Sequence, residues 1–146
     1  MAQTYWSGPL ASGDRPPGSV NGSNVGLVVL SQTVLINFDA TLVQNATINL
    51  PVNTQLFDVY VDVLTAFNSA TSATLSVGTS SGGTQYVSGI NAKTAGRSTT
   101  AHTAAQLAAM ANVGTNTAVT ATVTSVGQPT AGQLRVTYLY IQTQGI

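Results

Sequence analysis

Residues 54–67 constrain the fold more than any other stretch of this chain. Phe57, Val59, Val61, Val63 and Phe67 fall on one side of an alternating pattern, and Asp58, Tyr60 and Asp62 on the other. A period of two sends successive side chains to opposite faces of an extended chain, whereas a helix would scatter these residues around its circumference. The segment reads as a long strand with one buried face, and its β-branched valines suit such a surface.

Shorter runs of the same kind fill most of the remaining sequence. Residues 25–30 and 34–38 are aliphatic, and in 41–50 Leu42, Ala46, Ile48 and Leu50 alternate with Thr41, Asn45, Thr47 and Asn49. Pro51 and Asn53 mark a turn, a further strand covers 71–77, and 78–83 (GTSSGG) reads as a flexible strand-joining turn before a short strand at 84–90. The Ala-rich stretch 101–112, with Leu107 and Met110 three apart, predicts one or two helical turns. Residues 117–126 and 133–142 are Thr/Val/Tyr-rich strands separated by Gly127, Pro129 and Gly132. Both faces of the last strand turn apolar, so it is expected to be central or buried against a partner. Eight or nine strands at spacings near ten residues, without interleaved helices, predict an all-β fold: an antiparallel β-sandwich over 25–146. An eight-stranded jelly roll fits the count best, and an immunoglobulin-like sandwich is the main rival.

Residues 1–24 follow different rules. Three of the five prolines and many Gly, Ser and Asn lie here, which fits neither a helix nor a central strand and predicts an extended N-terminal arm. Yet Tyr5, the chain's single tryptophan Trp6, and Leu10 are also here. Large rings on such an arm are most simply explained if it docks, on its own domain or on a neighbour.

Charge narrows the function classes. Four Lys+Arg and four Asp+Glu make up 5% of the chain and sum to zero, against roughly 25% charged residues in an ordinary soluble domain. A nucleic-acid partner requires a cationic excess to displace counterions, and none is expected. No apolar run approaches the ~18 residues of a membrane span, and Met1 is not followed by a signal-like segment, so no membrane association is expected. Without cysteine there is neither a disulfide framework nor a thiolate metal site.

The inventory for catalysis is small. Asp58 and Asp62 share a strand face but flank Tyr60, which separates their Cα atoms by about 13–14 Å, beyond the ~5–9.5 Å of a glycosidase carboxyl pair. The single histidine, His102, cannot build a metal site alone. No Gly-x-Ser-x-Gly elbow, phosphate-binding Gly-Lys-Ser/Thr loop or Asp-rich calcium loop is present. No enzyme activity, cofactor or metal is expected. Lys93, Arg97 and Arg135 read as solvated cations, with a second possibility that the loop 91–103 meets Asp58 or Asp62 of a neighbouring copy. Tyr60, Tyr86, Tyr138 and Tyr140 offer a different reading, an aromatic platform for carbohydrate.

The segment LFDVYVDVLTAFNSATSATLSVGTSSGGTQYVSGINAKTAG, the closing TATVTSVGQPTAGQLRVTYLYIQ and the opening YWSGPLASG together resemble small virion proteins of tailed bacteriophages and related gene transfer agents. These are typically jelly-roll trimers on the capsid surface or in head fibres. The resemblance implies a capsid decoration, or cement, protein: a homotrimer on the outer surface of the shell, with the major capsid protein as partner. It implies shell contacts by Tyr5, Trp6, Pro9 and Leu10. A trimer interface would then involve Asp58, Tyr60, Asp62, Arg97, Tyr138 and Tyr140, with residues 133–142 packed about the axis. A head-fibre or tail component is the alternative within virions.

Overall fold

The computed structural model describes residues 28–98, 100–115 and 117–142; the predicted arm, with Tyr5, Trp6, Pro9 and Leu10, lies outside them. Eight strands and one helix follow in the order β1 (Val29–Asn37), β2 (Val43–Asn49), β3 (Thr54–Thr65), β4 (Ser72–Gly78), β5 (Val87–Asn91), β6 (Gly96–Ser98), α1 (Ala104–Ala111), β7 (Ala118–Val126) and β8 (Gln133–Gln142). They form two four-stranded antiparallel sheets, ordered β1-β8-β3-β6 and β2-β7-β4-β5. This is an all-β sandwich, as the strand spacing predicts.

Alternation on both sheets builds the core. Val59, Val61, Leu134, Val136 and Tyr138 project from the first sheet, and Leu75, Val77, Val119, Ala121 and Val123 from the second; all are fully buried. Each large aliphatic side chain so buried contributes about 1.5–3 kcal/mol. Residues 29–30 and 34–37, from two runs that read as separate, belong to one strand, because Ser31, Gln32 and Thr33 continue it between them.

Two expectations are corrected. Phe57 does not face the core: it is 61% exposed. Leu56 opposes Tyr140 and Asp58 opposes the very next residue, Leu139, so Phe57 is the extra residue of a β-bulge. Leu56 takes the core position instead. The strand read at 84–90 starts only at Val87. Before it, the loop after β4 lies over the outer face of the second sheet, where the Gly82 amide donates to Thr122 Oγ1 at 2.9 Å and that hydroxyl donates to Asn45 Oδ1 at 2.7 Å. The helical turns expected within 101–112 are present as α1, where Leu107 is exposed while Met110 and Gln106 are buried. In α1, Thr103 and Gln106 form a reciprocal capping box, and Gln106 also donates to Thr84 O and Ser88 Oγ.

The last strand is central, between β1 and β3. Tyr138 and Tyr140 point inward and are buried within this one chain, so neither ring is available to a partner, contrary to the expected trimer contact. The Tyr138 hydroxyl has no hydrogen-bonding partner among the described residues, and burial pushes its ionisation well above the usual phenol range.

Turns at one end of the sandwich are tied together. Asn68 Oδ1 accepts from the amides of Thr130 and Ala131, Lys93 Nζ donates to the carbonyls of Ser69 and Thr71, and Phe38 N donates to Gly132 O. Gly132 has φ +155°, and a Cβ there would lie 2.5 Å from the ring of the buried Phe67.

Two stability predictions follow from this packing. Gly132→Ala should destabilise the fold by about 1–3 kcal/mol through overpacking, more than Gly89→Ala, where a Cβ meets nothing within 4 Å; paired denaturant titrations give the comparison. Tyr138→Phe should raise stability by about 1 kcal/mol, because it removes a buried hydroxyl without a partner. A thermal melt below that of the parent chain would contradict this account of the core.

Candidate functional site

The outer face of the first sheet carries four of the six charged residues among the described residues, Asp58, Asp62, Arg97 and Arg135. The bulge at Phe57 resets the register so that Asp58, Tyr60 and Asp62 on β3 point outward, opposite Leu139, Thr137 and Arg135 of β8. On the other side of β3, Arg97 of β6 lies directly across from Asp62.

Asp62 therefore sits between two arginines. Arg97 approaches in a fork, with Nε 2.6 Å from Oδ1 and a terminal nitrogen 3.0 Å from Oδ2. Arg135 places a terminal nitrogen 2.8 Å and Nε 3.3 Å from Oδ2. Arg97 also covers the Tyr60 ring at 5.2 Å from its centroid, a cation–π contact. The Asp62 side chain is 10% exposed, and what covers it is the pair of guanidiniums, themselves 60% and 45% exposed. Hydrogen bonds from Arg97, then from Arg135, outweigh desolvation and hold the carboxyl down to about 2, from an ordinary 3.8.

Asp58 anchors a second set of contacts. Its Oδ1 accepts from Val59 N at 2.7 Å and Thr100 Oγ1 at 3.3 Å, and lies 3.3 Å from His102 Nε2. His102 Nδ1 is 3.0 Å from the Tyr86 carbonyl. Both ring nitrogens are thus engaged, and the imidazole bridges the segment after β6 to β3 and to the residue before β5. A base that activates a nucleophile needs a free nitrogen facing it; here the arrangement is a brace.

Asp58, Tyr60, Asp62 and Arg97, expected at one interface, are thus brought together, but by contacts within one chain. Within the chain, Asp62 is paired with both Arg97 and Arg135. Arg135 and His102 are partners that sequence reasoning missed. Two-residue alternation puts Arg135 and Asp62 on exposed faces, but only the β3–β8 neighbourhood makes them adjacent. The aromatic platform dissolves, because Tyr86, Tyr138 and Tyr140 are buried and Tyr60 lies beneath Arg97.

Other chemistry is sparse. No group of three or more His, Asp or Glu is arranged to hold a metal among the described residues, and no helix there is long and apolar enough to cross a membrane. An open groove of about 430 Å³ beside α1 is lined by neutral side chains including Thr84, Ser88, Thr103 and Gln106. The Gln106 amide that lines it is already hydrogen-bonded to Thr84 and Ser88.

A scan of protein-family models finds no match to the chain, and a search of curated proteins finds none either. Among solved structures, a chain of the cyanophage Pam1 capsid asymmetric unit is similar, with a TM-score of 0.56 and 23% sequence identity over 89% of this chain and 94% of that one. The likeness is one of fold and spans nearly the full length of both chains.

The Asp62 clamp predicts a pH dependence. The carboxyl titrates lower in the folded chain than in the unfolded one, so its contribution is complete above about pH 4 and is lost as pH falls toward 2. Because both guanidiniums face solvent, screening reduces that contribution to on the order of 1 kcal/mol. Asp62→Asn should flatten the acid limb between pH 4 and 2; an unchanged limb in urea titrations across this range would count against the clamp.

Proposed function

We propose that this chain is a non-enzymatic structural protein of a bacteriophage virion, a decoration (cement) protein that binds the outer surface of the major capsid shell as a homotrimer. The observation that carries this reading is the full-length likeness to a chain of a capsid asymmetric unit. Because both chains are covered almost completely, the neighbour is a chain of much the same size, and the likeness is not to one lobe of a larger protein. The strand orders β1-β8-β3-β6 and β2-β7-β4-β5 support an eight-stranded jelly roll.

The distribution of chemistry supports a structural role. Asp58, Asp62, Arg97, Arg135 and His102 brace strands of their own chain, and no nucleophile–base pair is formed among these contacts. A shell-binding protein needs shape and many modest contacts. Three copies held together engage several shell subunits at once, and effective concentration multiplies weak individual contacts. Tyr5, Trp6, Pro9 and Leu10 of the N-terminal arm are proposed as contacts to the shell.

Purified protein added to capsids of its own virus assembled without it should co-sediment with them and raise the temperature at which they release DNA. Density for it should appear on the outer surface in a capsid map. Density confined to the tail or to fibres would favour the alternative virion location, and no binding to any particle would sink the reading.

A further inference from the structure

We propose that His102 is a pH-responsive clasp: its doubly protonated ring fastens the segment between β6 and α1 to β3, and loss of one proton loosens it. The device lies within one chain and operates whether or not that chain joins a virion. His102 is the chain's single histidine. Its side chain is 12% exposed, and that of Asp58 is 29% exposed. Nδ1 lies 3.0 Å from the Tyr86 carbonyl oxygen, and Nε2 lies 3.3 Å from Asp58 Oδ1. A carbonyl and a carboxylate only accept hydrogen bonds, and a neutral imidazole has one N–H to give. The doubly protonated ring alone donates to both.

The two contacts respond differently when a proton leaves. The carbonyl keeps its donor if the remaining proton stays on Nδ1. Nε2 then turns a lone pair toward Asp58, and an attraction of opposite charges becomes a meeting of two acceptors. The link to β3 is therefore the half of the clasp that titrates.

Few other groups bear on the ring. The segment before β5 brings Tyr86, whose phenol burial pushes up, away from neutral pH. Arg97 of β6 is turned onto Asp62 and Tyr60, Lys93 Nζ is bound to the carbonyls of Ser69 and Thr71, and α1 contains no charged residue. One influence opposes the imidazolium: His102 directly precedes Thr103, the N-cap of α1, where the helix dipole disfavours a cation. That helix end is equivalent to about half a unit charge, whereas the carboxylate has a full one.

The segment depends on this clasp because β6 has only three residues. Thr100 and His102 make the side-chain hydrogen bonds that tie it to β3, and both reach Asp58 Oδ1. The contribution is complete while the ring holds two protons. It is lost as pH rises through the range in which histidine sheds its charge, about pH 5 to 8. This is opposite in sign to the Asp62 clamp, which fails toward acid.

The test uses the full chain, whose one histidine gives one set of imidazole signals. Long-range ¹H–¹⁵N spectra should show that ring passing from the doubly protonated form to the Nδ1–H tautomer between about pH 5 and 8. Hydrogen exchange, corrected for its intrinsic pH dependence, is read at Thr103, Gln106 and Leu107, whose amides are bonded at the start of α1. Their protection should fall at least about tenfold over the same interval, as expected for losing a hydrogen bond between charged groups. Amides of β7 and β8 should hold theirs. His102→Gln and Asp58→Asn, each checked by a cooperative thermal melt, should both abolish the step; if one fails to fold, the other decides. A neutral ring in the Nε2–H form overturns the proposal, as does a step of equal size in the parent and a folded variant. A fall shared evenly by β7 and β8 also overturns it, since that marks global stability and not a local clasp.

Discussion

The pairing of β3 with β8, and the extra residue at Phe57 within it, is the constraint on which the rest depends. In a strand buried on one face, a slip of one residue exchanges core and solvent for every side chain. The bulge at Phe57 makes that slip between Leu56 and Asp58, and a second shift follows between Val63 and Thr65 near the strand's end. After the Phe57 bulge, Val59, Val61 and Val63 meet the core while Asp58, Tyr60 and Asp62 face outward. Without it, the valines and Leu56 could not share one face.

The charges then reinforce the same register. Asp62 links β8 and β6 to β3 through Arg135 and Arg97, so one carboxylate bridges three neighbouring strands. Asp58 does similar work through Thr100 and His102 for the segment that follows the three-residue β6. So short a strand offers few ladder hydrogen bonds, and side-chain anchoring compensates. In a chain with so few ionisable groups, this concentration on one strand is the main electrostatic fact of the fold.

Much of this was legible in the sequence, and the remainder was not for identifiable reasons. Period-two alternation exposed the strands and the sandwich, because burial on one face imposes that pattern directly. Phe57 was misread because a bulge leaves no mark in an apolar/polar pattern when the displaced residue is itself apolar. Tyr138 and Tyr140 read equally well as core or interface, since alternation states which side chains share a face but not what lies over it. Asp62 and Arg135 are separated by 73 positions, and Asp58 and His102 by 44. Such pairs depend on strand order, a property of the assembled sheet that no local window contains.

The neutralised outer face has a kinetic meaning. Asp58 and Asp62 sit within hydrogen-bonding distance of their cations or of His102, so at distances beyond a Debye length, about 8–10 Å, this face projects almost no field. Partners are neither drawn in nor held off, and orientation by collision alone limits encounter to roughly 10⁵–10⁶ M⁻¹s⁻¹. Added salt has correspondingly little to screen. A surface built in this way recognises by fit after contact, and behaves alike in dilute buffer and in brine.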